Sequence, residues 1–304
     1  MSEVAVKKLR VFRADASSCN GCDIEVLEAL LPRFKVGDYV ELVYKPEEAE
    51  ALVITGGANF KTADEVRAVY EKLREPKIVI CVGSCAISKG IFAEGYPMRG
   101  PADQLGIPVT VFIGGCPPRP QAIAQAIASL LGLELDISED YWGVPEGFRG
   151  LPEFDTEKCV ACGACANTCP TGAMSYEDGE TERAMRVNYG LCIYCATCEE
   201  ICPEEGGVKL TGEYKAFFKG KDEMVKGIEV PLRKCANCGR PFATDKQLEA
   251  CLRRIMERSG DVFGPLAEEL KAMMSYCRDC RHTVANVRAG KALLIRASLA
   301  SLGQ

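Results

Sequence analysis

Cys159-Val-Ala-Cys162-Gly-Ala-Cys165-Ala-Asn-Thr-Cys169-Pro170 is followed by Cys192-Ile-Tyr-Cys195-Ala-Thr-Cys198-Glu-Glu-Ile-Cys202-Pro203, one phrase written twice. Three cysteines in a tight turn present three thiolates to one face of an iron–sulfur cube, and in this spacing the fourth of each run closes the other run's cage. The pattern predicts Cys159, Cys162, Cys165 and Cys202 around one 4Fe–4S cluster. Cys169, Cys192, Cys195 and Cys198 are predicted around another. Disulfides fit poorly, because iron–sulfur ligation needs reduced thiols and no route to an oxidising compartment is visible. Zinc gives no reason to repeat so long a phrase with its trailing proline.

The exchange of fourth ligands ties both runs into one small unit, the bacterial two-cluster ferredoxin pattern. We place it at residues 143–230, entered through the Gly/Pro-rich linker from Gly143 to Pro152. So small a loop-rich unit has little core, and its clusters are expected to supply much of its stability. The chain as a whole is ordinary in composition: 47% hydrophobic and 26% charged residues describe a soluble protein. A net charge of −6 argues against nucleic acid or an anionic membrane as the main partner. Neither a signal peptide nor an apolar run of membrane-spanning length is visible, which points to a reduced, cytoplasmic setting.

Residues 1–142 alternate strand and helix. Strands are predicted at 8–13, 39–44, 51–56, 77–83 and 108–114, with helices at 20–31, 62–74 and 118–131. Ala51-Leu-Val-Ile54, Ile78-Val-Ile80 and Val109-Thr-Val-Phe-Ile113 are almost continuously apolar, as parallel strands covered on both faces must be. The expectation is an α/β flavodoxin-like parallel sheet, whose sites form beyond the carboxyl ends of the strands. Cys19 and Cys22 follow the first strand, Cys85 the strand at 77–83, and Cys116 the strand at 108–114. All four can converge there, with Gly21, Gly83, Gly114 and Gly115 allowing close approach and offering N–H groups to sulfur. Cys81, inside a strand, and Cys251, on a helix, read as ordinary buried thiols.

The words Ser18-Cys19-Asn20-Gly21-Cys22-Asp23-Ile24-Glu25, Val82-Gly83-Ser84-Cys85-Ala86 and Gly115-Cys116-Pro117-Pro118-Arg119-Pro120 resemble the small subunit of nickel–iron hydrogenases. The likeness is to the energy-converting, membrane-associated class and to the complex I subunit that holds the terminal cluster. It covers about residues 8–131 and implies a proximal 4Fe–4S cluster on Cys19, Cys22, Cys85 and Cys116. Complex I subunits carry adjacent cysteines where this chain has Cys-Asn-Gly-Cys, which favours the hydrogenase side. The ferredoxin portion resembles the two-cluster subunit of the same complexes, so the chain reads as a fusion of two neighbours in an electron-transfer line. Glu25, one turn beyond Cys22, is a candidate for a proton relay or a subunit interface, against the plain reading of an acid favourable to a helix N-terminus.

Residues 231–304 hold Cys235-Ala-Asn-Cys238 and Cys277-Arg-Asp-Cys280 around a helix predicted at 245–258. The pairs resemble the cysteine-rich tail of ferredoxin subunits in formate hydrogenlyases and read as a zinc-ribbon-like α+β unit, one zinc ion on four thiolates. A fourth iron centre and free thiols are the alternatives. His282 reads as a surface residue. Arg233-x-Cys235-x-x-Cys238 superficially matches a nickel-ligand phrase, but the companion phrase is absent and the segment is too short to bury such a centre. A last helix, 284–302, is expected to pack on a neighbouring subunit.

The expected function is an electron-transfer subunit of a multisubunit, energy-converting nickel–iron hydrogenase, an oxidoreductase whose nickel site lies in another chain. Three 4Fe–4S clusters and one zinc ion are its expected cofactors. Expected partners are the nickel–iron large subunit and an electron-donor module such as formate dehydrogenase, carbon monoxide dehydrogenase or ferredoxin. Through the complex it would meet membrane antiporter-like subunits, placing it peripherally on the inner face of the cell membrane. The alternative keeps the architecture but serves a complex I-related quinone- or sulfur-reducing complex without nickel. A freestanding polyferredoxin fits poorly with so large a second domain, and a redox-sensing nucleic-acid module fits poorly with eight ferredoxin cysteines.

Overall fold

The computed structural model describes residues 8–135, 146–264, 267–282 and 285–302. Its first part is built on β1 (Leu9–Asp15), β2 (Val40–Leu42), β3 (Ala51–Thr55), β5 (Ile78–Val82) and β7 (Val111–Ile113), all parallel. Counting only these strands along the chain, their spatial order is 2-1-3-4-5, that of a flavodoxin-like doubly wound sheet. A short antiparallel pair, β4 (Ala58–Asn59) with β6 (Met98–Gly100), stands outside it.

The apolar runs divide between the two faces by strand periodicity. Val53, Ile80, Val82 and Ile113 join Val26, Ala29, Ile123 and Ile127 from α1 (Gly21–Ala29) and α4 (Pro120–Leu131). Leu52, Ile54, Val79, Cys81 and Phe112 face Val66 of α2 (Ala63–Lys72) and Ile87 of α3 (Ser84–Ser88). Cys81 is fully buried in this second layer, and burial pushes its thiol far up from the ordinary value. Helix α4 begins on Pro120 and ends at Gly132 with φ 65°, a proline start and glycine stop that suit the helix ends.

The second part starts at β8 (Pro152–Phe154), which pairs with β11 (Val208–Leu210) and so closes the cysteine-rich segment at its base. Between them lie α5 (Ala164–Thr168), the hairpin of β9 (Met174–Asp178) and β10 (Glu182–Asn188), and α6 (Thr197–Glu200). Two strands tie this part to the others. β12 (Phe217–Phe218) adds antiparallel to β7 and becomes the sixth strand of the first sheet. β13 (Val225–Lys234) pairs with β10 on one side and β14 (Pro241–Thr244) on the other. The boundary expected at 230/231 falls inside β13, and the one at 142/143 lies outside the described residues.

The tail continues as α7 (Asp245–Phe263), α8 (Ala267–Met274) and α9 (Ala285–Leu302). The α7 backbone breaks from helical geometry at Ser259, one residue past the predicted helix end. Among the described residues, no helix is long and apolar enough to cross a membrane.

Candidate functional site

The first cysteine set is assembled by loops at the carboxyl ends of β1, β5 and β7, as the pattern predicts. Cys19 and Cys116 are exposed, Cys22 and Cys85 half-buried. Burial, together with the charges of Cys85, Cys116 and Cys19, pushes the Cys22 thiol up to about 12. Burial and the charges of Cys116 and Cys19 hold Cys85 at about 11. Four thiols this close repel one another as thiolates, so a cation that accepts all four would displace their protons on binding. Glycines pack beneath the sulfurs. A Cβ at Gly83 would lie 2.4 Å from Cys22 Sγ, and one at Gly90 would lie 3.1 Å from Cys85 Sγ.

Two of the glycine N–H groups expected to face sulfur are used otherwise. Gly83 N–H donates to Ile113 O (2.8 Å) and Gly114 N–H to Ala216 O (2.7 Å), which knits strand ends together instead. Cysteine spacing does not single out Asp23, the buried residue after Cys22. Its carboxylate pairs with Arg13, accepts from Ser18 Oγ and accepts from Thr55 Oγ1 at 2.9 Å, fixing the start of α1 to β1 and β3. An acid one residue past a thiol, with Arg and Thr on neighbouring strands, was the available signal.

The two ferredoxin runs repeat in three dimensions. Ala161 and Tyr194 hold φ 52° and 56°, and Gly163 and Ala196 hold 77° and 71°, so equivalent residues turn each loop in the same way. An arginine braces each turn: Arg183 Nη1 donates to Ala161 O (2.8 Å), and Arg149 Nη1 to Cys195 O (3.2 Å). Arg183 is itself gripped by Asp178 through two hydrogen bonds of 2.6 and 2.9 Å.

The fourth cysteine of each run lies beside the other run's set. Burial raises the Cys192 thiol to about 12, and the charges of Cys198, Cys169 and Cys195 add to it. These four cysteines line one small, largely apolar cavity of about 20 Å³ with Pro152, Val187 and Leu210. Burial likewise raises Cys159, with Cys202 and Cys162 as the neighbouring charges. Cys165 senses Cys159 and Cys162 and, more weakly, Cys198 of the other set, so the two sites adjoin.

In the tail, the Sγ atoms of Cys235, Cys238, Cys277 and Cys280 all lie within 4.8 Å of one another. Cys238 and Cys277 are 3.8 Å apart. A tetrahedral ion with metal–sulfur bonds of about 2.3 Å requires sulfur–sulfur edges of about 3.8 Å, so the set fits one mononuclear metal. Each Cys-x-x-Cys closes its own turn, Gly239 N–H donating to Cys235 O (2.9 Å) and Arg281 N–H to Cys277 O (3.0 Å). Against the effect of burial, N–H groups of Cys277, Cys238 and Asn237 pull the Cys235 thiol down to about 6. His282 is exposed and contacts Lys291, not the sulfurs.

The parts meet at these sites. Ser84, between Gly83 and Cys85, donates through Oγ to Cys192 O at 2.7 Å, and Ser88 Oγ lies 3.0 Å from Gly190 O. On the opposite side, Thr244 Oγ1 donates to Val160 O (2.7 Å), and Arg254 donates to Pro203 O and Glu204. The Cys169/192/195/198 set is therefore the inner one, against the first sheet, while the tail covers the flanks of the other.

Residues 19–130 match the family of the NADH ubiquinone oxidoreductase 20 Kd subunit, and residues 158–206 match the 4Fe-4S dicluster domain. The chain is 42% identical over 122 residues to the probable membrane-bound hydrogenase subunit mbhJ of Pyrococcus furiosus, covering 40% of this chain and 72% of that protein. Formate hydrogenlyase subunit 7 of Escherichia coli is 35% identical over 44% of this chain and 54% of its own length. An NADH-quinone oxidoreductase subunit of Heliobacterium modesticaldum is 36% identical over 36% of this chain and 63% of its own length.

Proposed function

Because the chain belongs to the family of the 20 Kd NADH ubiquinone oxidoreductase subunit and its membrane-bound hydrogenase relatives, we propose that it relays electrons through three 4Fe–4S clusters to a nickel–iron large subunit. Cys159, Cys162, Cys165 and Cys202 would hold the outer cluster. Cys169, Cys192, Cys195 and Cys198 would hold the inner one, and Cys19, Cys22, Cys85 and Cys116 the proximal one. When bound, the clusters supply one-electron chemistry; the chain's own residues ligate, bury and space them. Zinc on Cys235, Cys238, Cys277 and Cys280 suits the mononuclear spacing of that set.

The observation that carries the reading is that one thiol set lies at an exposed edge of the molecule, beyond the carboxyl ends of β1, β5 and β7, while its inner side is bonded to the next set. Cys19 and Cys116 open to solvent, and α1, which starts beside Cys22, turns Ile24 (62% exposed) and Leu27 (49%) outward. Such an edge suits a large subunit that covers the proximal cluster and holds nickel. The donor, whether a formate or carbon monoxide dehydrogenase module or a ferredoxin, would reach the outer cluster. Antiporter-like subunits would then hold the assembly on the inner face of the membrane.

The test is hydrogen-dependent viologen reduction by the native complex, isolated anaerobically through this chain. Activity with nickel and one large subunit co-purifying is expected. An intact, cluster-loaded complex with neither nickel nor activity would overturn the hydrogenase assignment in favour of the quinone- or sulfur-reducing alternative.

A further inference from the structure

We infer that Ser84 is a positioning residue for electron transfer, the link that couples the inner cluster to the proximal one. The inference rests on the cluster assignment above and assigns a task to a side chain that ligates nothing. Ser84 is 1% exposed and touches three ligand-bearing segments at once. It is covalently next to Cys85. Its N–H donates to Gly115 O at 2.8 Å, just before Cys116. Its Oγ lies 2.7 Å from Cys192 O and 3.1 Å from Gly115 O.

A hydroxyl has one proton to donate, and Gly115 O is already served by the backbone N–H. The proton therefore goes to Cys192 O, the nearer acceptor. This gives a route from Cys192 Sγ through its own carbonyl, across one hydrogen bond, through Ser84 to Cys85 Sγ. The neighbouring links are less direct. Ser88 holds Gly190 O, two residues before Cys192, and Tyr194 OH lies 3.4 Å from Gly114 O, two residues before Cys116. The plain reading is that Ser84 satisfies a buried carbonyl, which buried polar groups require in any case. That reading predicts a loss of stability alone. Ours predicts a loss of coupling: one electron leaves the reduced inner cluster and enters the oxidised proximal cluster more slowly, with no bond made or broken.

The experiment uses the full chain, reconstituted anaerobically, with Ser84→Ala and Ser88→Ala beside wild type. Iron content, the midpoint potential of each cluster, the magnetic interaction between the reduced inner and proximal clusters, and the transfer rate after flash photoreduction are measured. Ser84→Ala is expected to keep its iron and its potentials while the magnetic splitting and rate fall several-fold; Ser88→Ala should fall less. A wild-type rate and splitting in Ser84→Ala overturns the proposal, as does a rate change accounted for by shifted potentials. Should Ser84→Ala fail to load its iron, Ser84→Cys, whose thiol is a much weaker donor to Cys192 O, decides instead, and a wild-type rate and splitting there overturn it. A wild-type chain lacking the proximal cluster would instead sink the functional reading, and would show as missing iron before any variant is compared.

Discussion

Gly83 stands at φ 88°, ψ 153°, a backbone conformation that costs a side-chain-bearing residue about 1–3 kcal/mol. Its absent Cβ leaves the space that Cys22 Sγ occupies. Gly83→Ala is expected to destabilise the first part by about that amount and to lose the proximal cluster, leaving the ferredoxin clusters in place; iron analysis and spectra read this directly. Glu25 offers a pH test. Burial raises its carboxyl above the ordinary value of 4.5, against the opposing pull of Arg119 and Arg33. As pH rises through the window above 4.5, the unfolded chain releases this proton first, so stability falls until the folded carboxyl also ionises. Glu25→Gln should flatten that fall in denaturant titrations taken across the window, and parallel curves for both proteins would refute the assignment. At this scale the grouping of the cysteines was legible because thiol spacing is a local property. Asp23 and Ser84 were not, because their partners lie on other strands or on the far side of a chain fold.

The elements were legible wherever burial shaped the sequence. Every residue of β3 is buried, and its unbroken apolar run announced it. β12 was not foreseen: only Phe217 and Phe218 pair with β7, too short a stretch for any periodicity to appear. In the tail, the helix between the two Cys-x-x-Cys pairs was foreseen, but its work was not. α7 and β14 carry Thr244, Lys246, Arg253 and Arg254 onto Val160, Thr156, Pro203 and Glu204, the neighbours of outer-set cysteines. A metal on the four converging thiols would pin this cover by joining the end of β13 to the segment after α8. Cys238→Ser should therefore abolish the metal dependence of tail stability without changing iron content. With free metal about a thousandfold above Kd, about 4 kcal/mol of stabilisation should disappear. Chelator titration followed by melting checks this, and a loss of four irons per chain would make the site iron–sulfur instead.

Across the whole molecule, three sequence segments make one connected body, because strands cross from each to the next. β12 caps the edge of β7, and β13 carries the ferredoxin hairpin into the tail sheet. A fragment ending at residue 135 would expose the hydrogen-bonding edge of β7, and unpaired sheet edges invite association between chains. Such a fragment is expected to self-associate in light scattering and to become monodisperse when residues 146–302 are supplied with it. A monodisperse fragment on its own would show that β12 is dispensable.

The Ser84 contact with Cys192 bears on biogenesis. The cavity lined by Cys169, Cys192, Cys195 and Cys198 is roofed by Pro152 and Leu210, from the strands at the base of the cysteine-rich segment, and its Cys192 loop is held against the first sheet. A cube delivered after that contact had formed would have to prise the two parts open. The expected consequence is an ordered maturation, in which an inner cluster would be installed while the nascent parts are still separate. The proximal site, with Cys19 and Cys116 open to solvent, can wait until last.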